Sequence, residues 1–166
     1  MPLAALILTA VTLQRLGELV LANRNTARLL ALGGVEKSPG HYPLIVLMHA
    51  AWLALLWVLA AGASIDWVWL ALFGVLQGLR FWVIATLGQR WTTRIIVVPG
   101  ETPVRRGPYR YVAHPNYWIV AGELIALPMA LGQPLIAVVF TALNAAVLWV
   151  RIRAEAAALA EAEPQL

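Results

Sequence analysis

Residues 43–87, PLIVLMHAAWLALLWVLAAGASIDWVWLALFGVLQGLRFWVIATL, decide the fold. Two apolar runs, Pro43–Ala63 and Trp67–Leu87, are parted only by Ser64, Ile65 and Asp66. A bilayer core of about 30 Å takes roughly 20 apolar residues as a helix, so each run is long enough to cross it. Upstream, Leu3–Ala22 is a third such run. Downstream, Trp118–Leu131 and Pro134–Val150 are shorter and separated only by Gly132 and Gln133. The 14 residues of Trp118–Leu131 give a helix of about 21 Å, short for a full span. The pair reads as a tight helical hairpin that turns at the far surface. The expectation is an all-α integral membrane protein, one domain over residues 1–166. Its five helices are placed at about 3–22, 43–63, 67–87, 118–131 and 134–155, with a long polar loop at 88–117.

Composition agrees. The chain has 166 residues, 61% hydrophobic and 12% charged, with mean hydropathy +0.77. Soluble domains carry about 25% charge, so a water-soluble enzyme is excluded. The absence of Cys removes disulfides, zinc–thiolate sites, iron–sulfur clusters and cysteine nucleophiles together. The net charge of +4 is sided. Ten of the twelve cations fall in the 23–42 loop, the 88–117 loop and the start of the tail, whereas Ser64–Asp66 and Gly132–Gln133 hold none. By the positive-inside rule the cationic face is cytoplasmic, with the N-terminus outside and the C-terminus inside. The first run lacks a basic start and a cleavage region, so it reads as a retained span. These arginines flank membrane helices without a nucleic-acid-binding module, so no nucleic-acid partner is expected.

Within the long loop, Thr93–Val98 is β-branched and stopped by Pro99-Gly100, and Thr102–Arg106 ends at Gly107-Pro108. Two extended runs about a Pro-Gly-Glu turn suggest a small ribbon.

Five ionisable residues lie in or at the ends of apolar runs: Arg15, Glu18, His49, Arg80 and Glu123. Charge in a bilayer costs several kcal/mol, on the order of 3, unless paired or hydrated, so each is a functional candidate. Arg15 and Glu18 share a helix face and pair directly. Arg80, two turns from its helix end, either snorkels or meets a ligand. His49 stands alone and reads as a hydrogen-bonded packing residue. Glu123 follows the densest polar segment, Arg105-Arg106-Gly107-Pro108-Tyr109-Arg110-Tyr111-Val112-Ala113-His114-Pro115-Asn116-Tyr117-Trp118. Each proline pushes its predecessor out of helix, so Gly107 and His114 are expected in a shaped loop. Composition alone reads the segment as an interfacial aromatic belt with topology-setting arginines. Arg151 and Glu155, one helical turn apart, add polar groups on the same face.

Gly107-Pro108-Tyr109-Arg110-Tyr111, then His114-Pro115-Asn116-Tyr117, then a hairpin, then Arg151-Ile152-Arg153-Ala154-Glu155 resemble the isoprenylcysteine carboxyl methyltransferase family. The likeness covers about the last 60 residues. Gln14-Arg15 with Glu18, Asn23-Arg24-Asn25 and His41-Tyr42 resemble a bacterial branch associated with O-methylation of alkylpyrone-type lipids. The resemblance implies S-adenosylmethionine as cofactor, bound from the cytosol by Tyr109, Arg110, His114, Pro115, Asn116, Tyr117, Arg151 and Glu155. It implies a lipophilic acceptor entering from the bilayer, bearing a carboxylate or an acidic enol or phenol, and a home in the bacterial inner membrane. Arg80 and Arg15 would position the acceptor's anionic head, and Glu123 would orient His114, Arg110 or the acceptor. Two positions depart from the family's habit: Ala113 stands where Arg usually precedes His-Pro, and Ala156 follows Glu155 in place of a second Glu. Three alternatives stand beside this reading. A phospholipid N-methyltransferase would need a base. A sterol-reductase-like NADPH enzyme would need a longer chain, and no glycine-rich fingerprint is present. In a non-enzymatic scaffold the arginines would set topology alone.

Overall fold

The computed structural model describes residues 2–37, 40 and 42–162, without the side chains at 151 and 154–162. Its helices are α1 (Leu3–Ala31), α2 (Tyr42–Ala60), α3 (Trp67–Leu87), α4 (Pro115–Ala130) and α5 (Pro134–Ala162). Three of them, α1, α2 and α3, are long and apolar enough to cross a membrane, and the apolar part of α5 spans Pro134–Val150. The protein is an all-α integral membrane protein.

The membrane-crossing stretches carry large apolar side chains on their outer faces, as lipid-facing helices do. Leu47, Val58, Val68 and Leu135 are among the large side chains left exposed on the outside. Inside, Leu8, Trp52, Leu56, Phe73, Leu124, Leu127 and Phe140 form one core. α4 packs against both α3 and α5 and buries Ile119, Glu123, Leu124 and Leu127. Gly122 permits the α3–α4 approach, since a Cβ there would lie 2.9 Å from Leu76 Cδ1.

Two ends are tied by different chemistry. At one end, Asp66 caps α3 by accepting from the Val68 and Trp69 amides. This meets two of the four N–H groups that a helix start leaves without partners. The Asp66 amide donates to Ala130 O at 2.9 Å, and Gln133 Nε2 donates to Leu59 O at 3.3 Å. Those bonds join the Ser64–Asp66 link to the α4–α5 hairpin, whose turn uses Gly132 at φ 67°. At the other end the cationic segments meet. Val35–Glu36 (β1) pairs antiparallel with Ile96–Val97 (β2) in the register Val35↔Val97. Arg94 binds Glu36 at 3.0 and 3.1 Å and stacks 4.2 Å from the Tyr42 ring centroid.

Several expected boundaries move. α1 runs nine residues past Ala22 to Ala31: nothing in Asn23–Ala31 breaks a helix. The extension is held by Asn25, whose Nδ2 donates to Gly88 O and Trp91 O at 3.1 and 2.8 Å. It stops at Gly33, φ 86°. α2 ends at Ala60 and not Ala63, and α5 continues to Ala162. The ribbon partner is also different. β2 pairs with β1 across the molecule, and Thr102–Arg106 lies outside any strand. α4 starts at Pro115, because a proline at the first helical position has its φ preset and gives up an N–H that would be unpaired there. His114 is non-helical as expected, at φ −130°, but Asn116 and Tyr117 belong to the first turn of α4 and not to the loop. Gly107 opens a short 3₁₀ turn, Gly107–Arg110, at φ 56°, and a Cβ there would sit 2.6 Å from Thr86 Oγ1.

Candidate active site: a buried charge ring beneath two joined cavities

Four charges from three helices close on one another. Arg80 forks onto Glu18, with Nε to Oε1 at 2.7 Å and Nη2 to Oε2 at 2.6 Å, and its Nη1 lies 3.2 Å from Glu123 Oε2. Arg15 bridges the same two acids, at 2.9 Å to Glu18 Oε2 and 2.9 Å to Glu123 Oε2. Gln14 donates to Glu18 Oε1 and Gln77 Oε1, and Gln77 donates to Glu123 Oε1 at 2.7 Å. Two cations and two anions cancel, and every carboxylate oxygen is bonded. This arrangement makes charge tolerable at membrane depth. Glu18, Arg80 and Glu123 are buried, and Arg15 keeps 19% of its side chain exposed.

The Arg15–Glu18 pair is present as the spacing of three predicts. Arg80 does not snorkel: its guanidinium faces inward to two carboxylates. Glu123 is bonded within the ring, to Arg15, Arg80 and Gln77. Gln14 and Gln77 were not picked out as partners of the ring. Their signal was positional, since each shares a helix face with a charge, Gln14 with Glu18 and Gln77 with Arg80.

Two cavities lie above and beside this ring. The first, about 840 Å³, opens at the cationic end and is lined by Tyr109, Arg110, His114, Asn116 and Tyr117, with Trp91, Arg90 and Arg94. Its size falls in the range of roughly 300–1,000 Å³ typical of small-molecule sites. His114 and Tyr117 stack within it, centroids 5.0 Å apart and planes at 14°. The second, about 300 Å³, lies between the helices. Thr12, Arg15 and Leu16 of α1, Ile45 and His49 of α2, Arg80 of α3 and Asn144 and Val147 of α5 line it. Trp91, Thr92, Asn116 and Tyr117 line both cavities. These four therefore form the wall, or the doorway, between a polar chamber and an apolar one.

The structure thus gathers five of the eight residues expected to hold a cofactor around one chamber. Pro115 is buried at the start of α4 and shapes the backbone, and the side chains of Arg151 and Glu155 lie outside the described residues. Asn116 Oδ1 is buried at the junction without a hydrogen-bond partner among the described residues, a cost of roughly 1–3 kcal/mol unless a ligand donor meets it. Trp91, Thr92 and Asn144 carried no chemical motif and could not be found without the tertiary fold. His49 does make the expected hydrogen bond, to Ile45 O at 2.8 Å, but it also lines the inner cavity.

A Bacillus subtilis (strain 168) protein, "Uncharacterized protein YpbQ", is 35% identical over 161 residues, covering 94% of this chain and 96% of that one. A Haemophilus influenzae "Uncharacterized protein" is 26% identical over 157 residues, 91% of each chain. No solved structure matches significantly. The model of the isoprenylcysteine carboxyl methyltransferase (ICMT) family matches residues 68–161, the part that carries the charge ring's Arg80 and Glu123, the shared wall and the outer chamber. The chain belongs to the isoprenylcysteine carboxyl methyltransferase family, a family of membrane methyltransferases.

Proposed function

We propose that this protein transfers a methyl group from S-adenosylmethionine, held in the outer chamber, to a lipophilic acceptor held between the helices. The observation that carries the reading is the meeting of the two cavities at Trp91, Thr92, Asn116 and Tyr117. In-line displacement needs donor and acceptor to touch across such a boundary, and holding them at near-attack distance supplies much of the acceleration. A bound donor supplies an electrophilic methyl on a sulfonium centre.

The chamber's residues fit that donor. Asn116 Oδ1, buried and without a partner among the described residues, is an acceptor for an ammonium or ribose hydroxyl. Arg110 offers a planar fork for a carboxylate. The ring faces of Trp91, Tyr109 and Tyr117 suit a cationic sulfur and its methyl. On the acceptor's side, Arg80 is committed to Glu18 and Glu123 and acts as a positioning residue. Arg15, held by the same acids yet still partly exposed to the cavity, is the cation left to meet an oxygen of the acceptor head. The apolar walls from α1, α2 and α5 receive its tail from the bilayer. The cationic end would face the cytoplasm, where the donor is made, in the inner membrane of a bacterium.

The test is S-adenosylmethionine binding to detergent-purified protein by calorimetry. Saturable binding that falls at least 10-fold in Asn116→Leu, with lipid extract then becoming methylated, is the expected result. A folded protein that binds no donor, with or without lipid, would overturn the reading.

A further inference from the structure

His49 holds its ring by one nitrogen and presents the other. Its Nδ1 lies 2.8 Å from Ile45 O, one turn back on α2. A carbonyl oxygen only accepts, so Nδ1 carries the hydrogen, and in the neutral ring Nε2 is then a bare lone pair. Nε2 makes no hydrogen bond among the described residues. The ring lines the inner cavity together with Arg15 and Tyr42. On the same helix, Trp52 also lines it, and its buried Nε1–H has no acceptor among the described residues. A packing histidine is explained by its first bond alone. A polar lone pair left open on the wall of a largely apolar cavity is not.

The charged groups around this wall do not compete for the ring. Arg15 and Glu18 of α1, Arg80 of α3 and Glu123 of α4 are bonded to one another and sum to zero. α5 contributes the neutral Asn144, and α2 itself contributes Tyr42.

Resting on the methyltransferase reading and deepening it, we propose that His49 Nε2 is the base that takes the proton of a hydroxyl-bearing acceptor. The acceptor's O–H bond breaks with its proton passing to Nε2. The oxygen's electron pair forms the bond to the methyl carbon, and the carbon–sulfur bond breaks with its pair going to sulfur. The imidazolium left behind loses its proton to water as the methyl ether departs. A carboxylate acceptor has no proton to give, so His49 serves weakly acidic hydroxyls.

His49→Gln keeps a polar side chain but removes the basic nitrogen. Wild type and variant are compared with three lipophilic acceptors: a long-chain alkylphenol, its ring-nitrated analogue (ionised near neutral pH), and a prenylated cysteine carboxylate. Donor binding, by calorimetry, reports that the variant is folded. The expected result is a loss of about 100-fold or more in kcat on the alkylphenol, with donor affinity and turnover of the nitrated phenol within about 3-fold of wild type. Equal losses on both phenols, no loss on either, or wild-type turnover confined to the carboxylate would each overturn the assignment while leaving the methyltransferase reading intact. Wild type that binds no donor would overturn both. Should His49→Gln fail to bind donor, His49→Asn repeats the comparison with a shorter amide that retains a donor toward Ile45 O, judged by the same outcomes.

Discussion

Replacing Arg80 with methionine removes the centre of the charge ring while keeping an unbranched apolar stem. The side chain makes two bonds to Glu18, at 2.7 and 2.6 Å, and one to Glu123 at 3.2 Å. Without it, Glu18 and Glu123, at 8% and 3% exposure, are left to share Arg15, and the ring carries one uncompensated negative charge. Removing one partner of a buried ion pair costs about 3–5 kcal/mol. For a chain of this size each kcal/mol shifts Tm by about 2–4 °C, so the variant should unfold about 10 °C lower. The sharper test is a sign. Adding Glu18→Gln to Arg80→Met restores neutrality, with Arg15 facing Glu123 alone, so the double variant should recover about half of the lost Tm. Thermal unfolding of the purified protein in detergent, for wild type, both singles and the double, completes the cycle. If the double unfolds lower still, by the sum of the two single losses, charge balance is not what holds these helices together.

Asn116→Leu should leave Tm unchanged or raise it by a few degrees, because it removes a buried oxygen that has no partner among the described residues; the same variant should lose donor binding, a combination that a purely structural asparagine would not give. Gly107→Ala forces a non-glycine residue to φ 56° with its Cβ against Thr86 Oγ1 at 2.6 Å. It should cost roughly 1–3 kcal/mol of stability locally, and calorimetry should find weaker donor binding, since this turn carries Tyr109 and Arg110 into the outer chamber.

Much of the fold was legible because membrane burial acts on each helix separately. A run such as Trp67–Leu87 must satisfy its own backbone in lipid, so length and composition suffice to place it, and α3 has those bounds in the structure. Boundaries at the polar end were less legible. There, water tolerates helix and loop alike, and tertiary bonds choose between them: Asn25 to the Gly88–Trp91 turn extends α1, and β1 draws β2 away from its neighbour in sequence. The outer chamber was legible as a motif, since Tyr109 to Tyr117 is contiguous. The inner one was not, since its walls come from all five helices.

The sequence by itself determined that the chain lives in a membrane, that its cations gather at one end, and that a Pro-bracketed aromatic segment lies there. Those are properties of composition and spacing along the chain, readable without knowing which distant side chains meet. Only the tertiary structure decided what the intramembrane charges do. Arg15, Glu18, Arg80 and Glu123 are as many as 108 positions apart, and their closure into a neutral ring depends on how α1, α3 and α4 cross. It also decided that a cavity between the helices shares a wall with the outer one at Asn116 and Tyr117, because contact between distant side chains is fixed by packing and leaves no local pattern to read.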